Sequence, residues 1–157
     1  MAEPIELEKS RVDKEPYLVW NAFIHLIAQD PYELSDVQGV AHLAFWYDAE
    51  VQNGGHLQYF ENMFSRYGHK EDILVLATLE ALKIIGAEEQ AEILSQASEQ
   101  HSAKKRKHPL TVEEFVNLAL EDEFGEFDKR YYHCSPDINS YLEEYLQTHM
   151  SEFVKLV

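Results

Sequence analysis

Glu50-Val51-Gln52-Asn53-Gly54-Gly55-His56-Leu57-Gln58-Tyr59-Phe60-Glu61-Asn62 sets two of the chain's six glycines side by side, between segments that otherwise read as helix. Glycine reaches positive φ without steric cost, and asparagine tolerates the left-handed region better than most residues. Asn53-Gly54-Gly55 therefore predicts a helix stop followed at once by a new helix start. After it, Leu57, Phe60 and Phe64 fall on one face, with Gln58 and Glu61 on others. Such a corner commits both flanks to an α fold. Asn53, Gln58, Tyr59 and Asn62 read either as a polar recognition pocket or as structural groups. In the structural reading, Asn53 and Gln58 satisfy backbone groups orphaned at the helix ends, and that reading is the simpler.

Upstream of the corner, Ser35 or Asp36 caps a helix running through Val40, Leu43, Ala44, Phe45, Trp46 and Tyr47. Before it, Glu15-Pro16 opens a helix with Tyr17, Trp20, Phe23, Ile24 and Ile27 on its apolar face, and Asp30-Pro31 ends it. Residues 1–14 are charged and turn-like and read as an arm. Downstream, a short helix stops at Gly68. Asp72 to Ile85 is apolar almost all round, the pattern of a helix at the centre of a bundle, with Gly86 as its stop. Ala87 to about Ser102 is amphipathic on Ala91, Ile93, Leu94 and Ala97, and the basic loop Lys104-Lys105-Arg106-Lys107-His108-Pro109 follows. Thr111 with Glu114 forms a capping box for a helix carrying Phe115, Val116, Leu118 and Leu120. Ser135-Pro136-Asp137 caps a last helix packing on Ile138, Leu142, Tyr145, Leu146, Met150 and Phe153. No segment sustains period-two alternation, so no sheet is expected. The pattern predicts an all-α, single-domain bundle of about seven or eight helices over 15–157, preceded by the arm 1–14.

The 157 residues suit one domain with a real core, and 45% hydrophobic content excludes a disordered acidic tail. No apolar run reaches membrane-spanning length, and the acidic start Met-Ala-Glu-Pro-Ile-Glu-Leu-Glu lacks the basic and apolar regions of a signal peptide. A single cysteine, Cys134, fits a reducing cytoplasm. The formal charge of −16 disfavours direct contact with nucleic acid or an anionic membrane and favours a basic partner.

Glu50 followed by Asn-Gly-Gly-x-x-Gln-Tyr-Phe-x-Asn (Asn53, Gly54, Gly55, Gln58, Tyr59, Phe60, Asn62) resembles the signature of a bacterial family of small acidic proteins. That family consists largely of domains of unknown function and includes a DNA mimic. Ala81-Leu82-Lys83-Ile84-Ile85-Gly86-Ala87 and the helix from Ala91 to Ala97 are similar to its following segments. The resemblance covers residues 40–100 well and the ends poorly. It implies an all-helical domain, no known catalysis and, for one branch, homodimers that occupy a transcription factor's DNA site.

The acids are unevenly spread. Glu113, Glu114, Glu121, Asp122, Glu123, Glu126 and Asp128 follow one another with no Lys or Arg between them, and the last helix adds Asp137, Glu143 and Glu144. Like charges at helical spacing repel, so the arrangement does nothing for local folding. A domain of this length has a diameter near ~40 Å, and a duplex that long carries about 23 phosphates. The net charge is of that order. These carboxylates are therefore candidate phosphate mimics for a basic protein, in particular a helix-turn-helix transcription factor. An immunity or inhibitor protein against a basic nuclease or toxin uses the same physics. The basic run 104–107 reads as a solvated loop, or as a contact for an acidic face in the same chain or a second subunit.

A small enzyme or metal protein built on the Asn53-Gly54-Gly55 corner is the third reading. The eight histidines form no His-x-x-x-His or His-Glu-x-x-His pair. Asp48, His56 and Glu61 can converge only across the corner. Nucleophile elbows and phosphate loops are missing, so no catalytic residue, metal or cofactor is expected. His25 and His42 read as hydrogen-bonded packing residues.

Overall fold

The computed structural model describes residues 1–157. The elements are β1 (Ile5–Leu7), α1 (Lys9–Val12), α2 (Tyr17–Ile27), α3 (Asp36–Tyr67), α4 (Glu71–Ile84), α5 (Glu88–Ser102), α6 (Val112–Leu120), α7 (Gly125–Tyr132), α8 (Ile138–Thr148), α9 (Met150–Phe153) and β2 (Val154–Leu156). Seven of the helices have eight or more residues, and the glycine corner divides the 32-residue α3 into two, so the all-α bundle is as expected.

Local signals place most of the boundaries. Ser35 is the N-cap of α3 in a complete capping box with Gln38. Thr111 Oγ1 accepts from the Glu114 N–H, while the Glu114 carboxylate accepts from the Leu110 N–H, one residue outside the usual box. Asp137 caps α8 through the Ser140 N–H. Gly86 ends α4 with φ +93°, and the Ala87 N–H returns to the Leu82 carbonyl at 2.8 Å.

The helix at the centre is α3, which packs against α2, α4, α7, α8 and α9. Its first half buries Ala41, Ala44, Tyr47 and Val51, and its second half Tyr59 and Phe60. The expectation that Asp72–Ile85 lies at the centre is corrected here: α4 buries Val75, Ala81 and Leu82, but Ile73, Leu76 and Ile84 are each more than half exposed. An all-round apolar composition cannot say which side finds a neighbour. Helix α6 departs further. None of its residues is buried, and Leu110, Val112 and Leu120 stand in solvent.

Strands β1 and β2 pair in parallel, with Ile5 opposite Val154 and Leu7 opposite Leu156, so a small sheet exists where none was expected. Ile-Glu-Leu and Val-Lys-Leu alternate for only three residues each, too briefly to register as period two. Residues 1–14, read as an arm, thus carry β1 and α1, and Gln38 joins both chain ends by donating to the carbonyls of Ala2 and Glu152.

Gly39 lies in the first turns of α3, and a Cβ there meets nothing. Gly39→Ala is therefore expected to stabilise the fold by about 0.5–1 kcal/mol, through the lower backbone entropy of the unfolded chain. Urea unfolding at neutral pH checks the sign.

Candidate partner-binding surface and the glycine corner

At the corner Gly54 has φ −156° and Gly55 has φ +75°, ψ −175°, a combination essentially reserved for glycine. The turn frees the amides that open the second half of α3. Asp128, on α7, fills that need: its Oδ1 accepts from the His56 N–H at 2.9 Å and lies 2.7 Å from His56 Nδ1. His56 is fully buried, and its Nε2 meets the Tyr47 hydroxyl at 2.7 Å. Burial holds the Tyr47 phenol well above its ordinary range, so it remains an O–H donor. His56 accordingly donates from Nδ1 to Asp128 and accepts at Nε2 from Tyr47.

Helix α7 is tied to the same corner twice more. Tyr131 donates to Asp48 at 2.5 Å, and Tyr132 to the Val51 carbonyl at 2.9 Å. Tyr47 packs edge-on to Tyr59 and Tyr131, with centroids 5.0 and 5.4 Å away. On the outer side, Glu50 Oε2 accepts from Gln58 Nε2 at 2.9 Å and from Asn62 Nδ2 at 2.7 Å, which clasps the two halves of α3 together. The structural reading of the corner is thus realised by different groups than expected. Gln58 bonds the Glu50 side chain, Asn53 is exposed, and the orphan backbone amide goes to Asp128. Asp48, His56 and Glu61 turn to three separate partners, Tyr131, Asp128 and His108. Phe60 is buried and stacks on His101 at 4.3 Å.

The ten candidate carboxylates divide by environment. Asp128 faces the corner. Glu123 forms a two-pronged pair with Arg106, at 2.6 and 2.5 Å, with Lys104 at 3.6 Å, and that pairing holds its carboxyl below the usual range. Asp137 and Glu114 serve backbone amides at helix starts, and Glu126 lies 3.6 Å from Lys129. Glu113, Glu121, Asp122, Glu143 and Glu144 are exposed and make no ion pair. The first three sit on α6 and the turn after it, and the other two on α8.

Arg106 meets an acid of the same chain, whereas Lys105 and Lys107 are exposed. The reading of the basic run as a contact for an acidic face of the same chain thus holds for Lys104 and Arg106. Sequence reasoning did not name Glu123 as the partner, nor show the His56–Asp128 link, because the members lie 17 and 72 residues apart. It also missed a histidine layer in which His108 stacks on Phe64 and bonds the buried Glu61 at 2.9 Å. Beside it, burial raises the Glu71 carboxyl to about 7. No spacing rule signals these contacts.

Against models of known families, residues 32–149, about three quarters of the chain, match the DMP19-like protein model. The chain belongs to the DMP19-like family. The match takes in the corner, all of α4 to α7 and α8, and so extends beyond the 40–100 segment that carries the resemblance in sequence. No curated protein and no solved structure matches the chain. No helix of this DMP19-like chain is long and apolar enough to cross a membrane.

Proposed function

We propose that this chain is a DNA mimic: an acidic protein that offers exposed carboxylates, in place of phosphates, to the DNA-binding surface of a basic cytoplasmic partner such as a helix-turn-helix transcriptional regulator. The observation that carries the reading is that Glu113, Glu121, Asp122, Glu143 and Glu144 remain exposed without a cation in a molecule of net charge −16. Membership of the DMP19-like family supports it. Free carboxylates on rigid helices attract a basic surface over about 8–10 Å in physiological salt, and added salt screens that attraction. A homodimer, implied by the resemblance, doubles the charge on offer. Glu123 and Asp128 are left out of the contact surface because each already serves the fold.

An inhibitor of a basic nuclease or toxin is the second reading, favoured by one observation. Val112, Val116 and Leu120 form an exposed apolar stripe on α6 beside the acids, and a helix in a partner's groove uses anchors at that spacing.

The test is affinity capture from a bacterial lysate at low salt, followed by a salt gradient and competition with duplex DNA. Release of a DNA-binding protein at moderate salt, with competition by the duplex, is the expected result. The triple variant Glu113→Lys, Glu121→Lys, Asp122→Lys is expected to weaken that capture at least ~100-fold, or ~2.7 kcal/mol. Undiminished capture by the triple variant rejects this surface, and indiscriminate release of abundant basic proteins rejects mimicry.

A further inference from the structure

Far from the acids in chemistry, a cavity of about 210 Å³ opens between the turn Pro31–Glu33, the start and end of α3, and α4. Its walls are apolar or aromatic, with Tyr32, Leu43, Tyr67 and Leu74 around one buried polar side chain, His42. Neither the glycine corner nor the carboxylate surface uses these groups.

His42 is 5% exposed, and its Nδ1 lies 2.6 Å from the Ile27 carbonyl. A carbonyl only accepts, so Nδ1 carries the hydrogen and donates. Burial lowers the affinity of this ring for a second proton. The ring is therefore neutral, and Nε2 presents a lone pair. No protein group bonds Nε2, although the ring lines the cavity. The side chain is buried as a whole, but Nε2 is not among the fully enclosed unpartnered atoms, so it stays reachable from the cavity. A reachable acceptor without a protein partner, set in an apolar wall, is matched by a molecule that brings one donor and little other polarity.

Size narrows the class. An apolar cavity of roughly 150 Å³ holds one benzene ring, so this one has room for a single ring system with a small substituent or a fused second ring. Tyr32, 85% exposed on the rim, offers a further aromatic face at the mouth. Gly39 lies one turn before His42 and Leu43, and a Cβ placed on it meets nothing within 4 Å, so the floor is left open by the smallest residue.

We propose that this cavity binds a small aromatic molecule carrying a single N–H or O–H donor, with His42 Nε2 accepting that hydrogen. The site is independent of the carboxylate surface and stands whether or not mimicry holds.

The test uses the full chain, isotopically labelled, titrated with indole and with indene, the same bicycle without the N–H. Amide shifts are followed by two-dimensional NMR. Indole is expected to shift Gly39, His42, Leu43, Tyr67 and Leu74 with a Kd of about 1 mM or tighter. Indene is expected to bind the same residues about fivefold to tenfold more weakly, the value of one hydrogen bond. Gly39→Leu is expected to fold normally and bind neither, and His42→Phe to lose the preference for indole. If His42→Phe fails to fold, the indole–indene ratio in the unaltered chain still decides the donor. No localised shifts at millimolar indole, equal affinity for indene, or undiminished binding by Gly39→Leu each overturns the proposal.

Discussion

Gly55→Ala is expected to destabilise the fold by about 3–5 kcal/mol. Two costs act together. At φ +75° and ψ −175° an alanine is held in a region essentially closed to side chains, which costs about 1–3 kcal/mol. The added Cβ also falls on the Asp128 carboxylate, which must leave the His56 amide and ring. Losing hydrogen bonds to a charged group costs a further ~1.5–3 kcal/mol. Domains of this size are stable by only about 5–15 kcal/mol, and the loss corresponds to a fall in Tm of roughly 10 °C. Thermal and urea unfolding measure it. Gly54→Ala is the control: its φ of −156° lies outside the left-handed region, and its Cβ meets the Gln58 side chain, which can turn away at the cost of its bond to Glu50. That variant is expected to cost about 1 kcal/mol. Equal losses from the two substitutions reject the account given to Asp128.

Arg106→Ala is expected to cost about 3 kcal/mol, well beyond the usual value of a surface ion pair. The Arg106 and Glu123 side chains are only 9% and 18% exposed, and the guanidinium makes both prongs of the pair. It also donates from Nε to the His101 carbonyl at 2.7 Å, near the C-terminal end of α5, where a cation is favoured. Alanine leaves Glu123 half-buried with only the longer Lys104 contact, and leaves that carbonyl without its donor. Arg106→Lys restores the charge without the fork and is expected to recover less than half of the loss.

The same pair makes a pH prediction. Arg106 holds the Glu123 carboxyl below its ordinary value, so the folded state binds that proton more weakly than the unfolded state does. Stability from the pair is therefore fully present above the unfolded value, near ~4.3, and is lost as pH falls through the lower folded value. Unfolding curves at neutral pH and near pH ~3 are expected to differ less in Arg106→Ala than in the unaltered chain. A cost under ~1 kcal/mol, with an unaltered acid limb, places the pair among solvated surface contacts.

The features legible in the residues alone are those that local chemistry sets. Ser35, Thr111, Asp137 and Gly86 mark helix ends because a cap satisfies backbone groups within a few residues of itself. The Asn53-Gly54-Gly55 break is legible for the same reason, since φ preference belongs to the residue. Which acids remain free was settled by the tertiary fold. Glu123 and Asp128 look like their neighbours in the acidic run, yet Arg106 and His56, 17 and 72 residues away, draw them into the fold. It alone decided that α4 and α6 leave apolar faces uncovered, and that Ile-Glu-Leu finds Val-Lys-Leu at the far end of the chain. Periodicity records that a face is apolar, but burial and pairing depend on what the rest of the chain brings to that face, and no short window of sequence contains it.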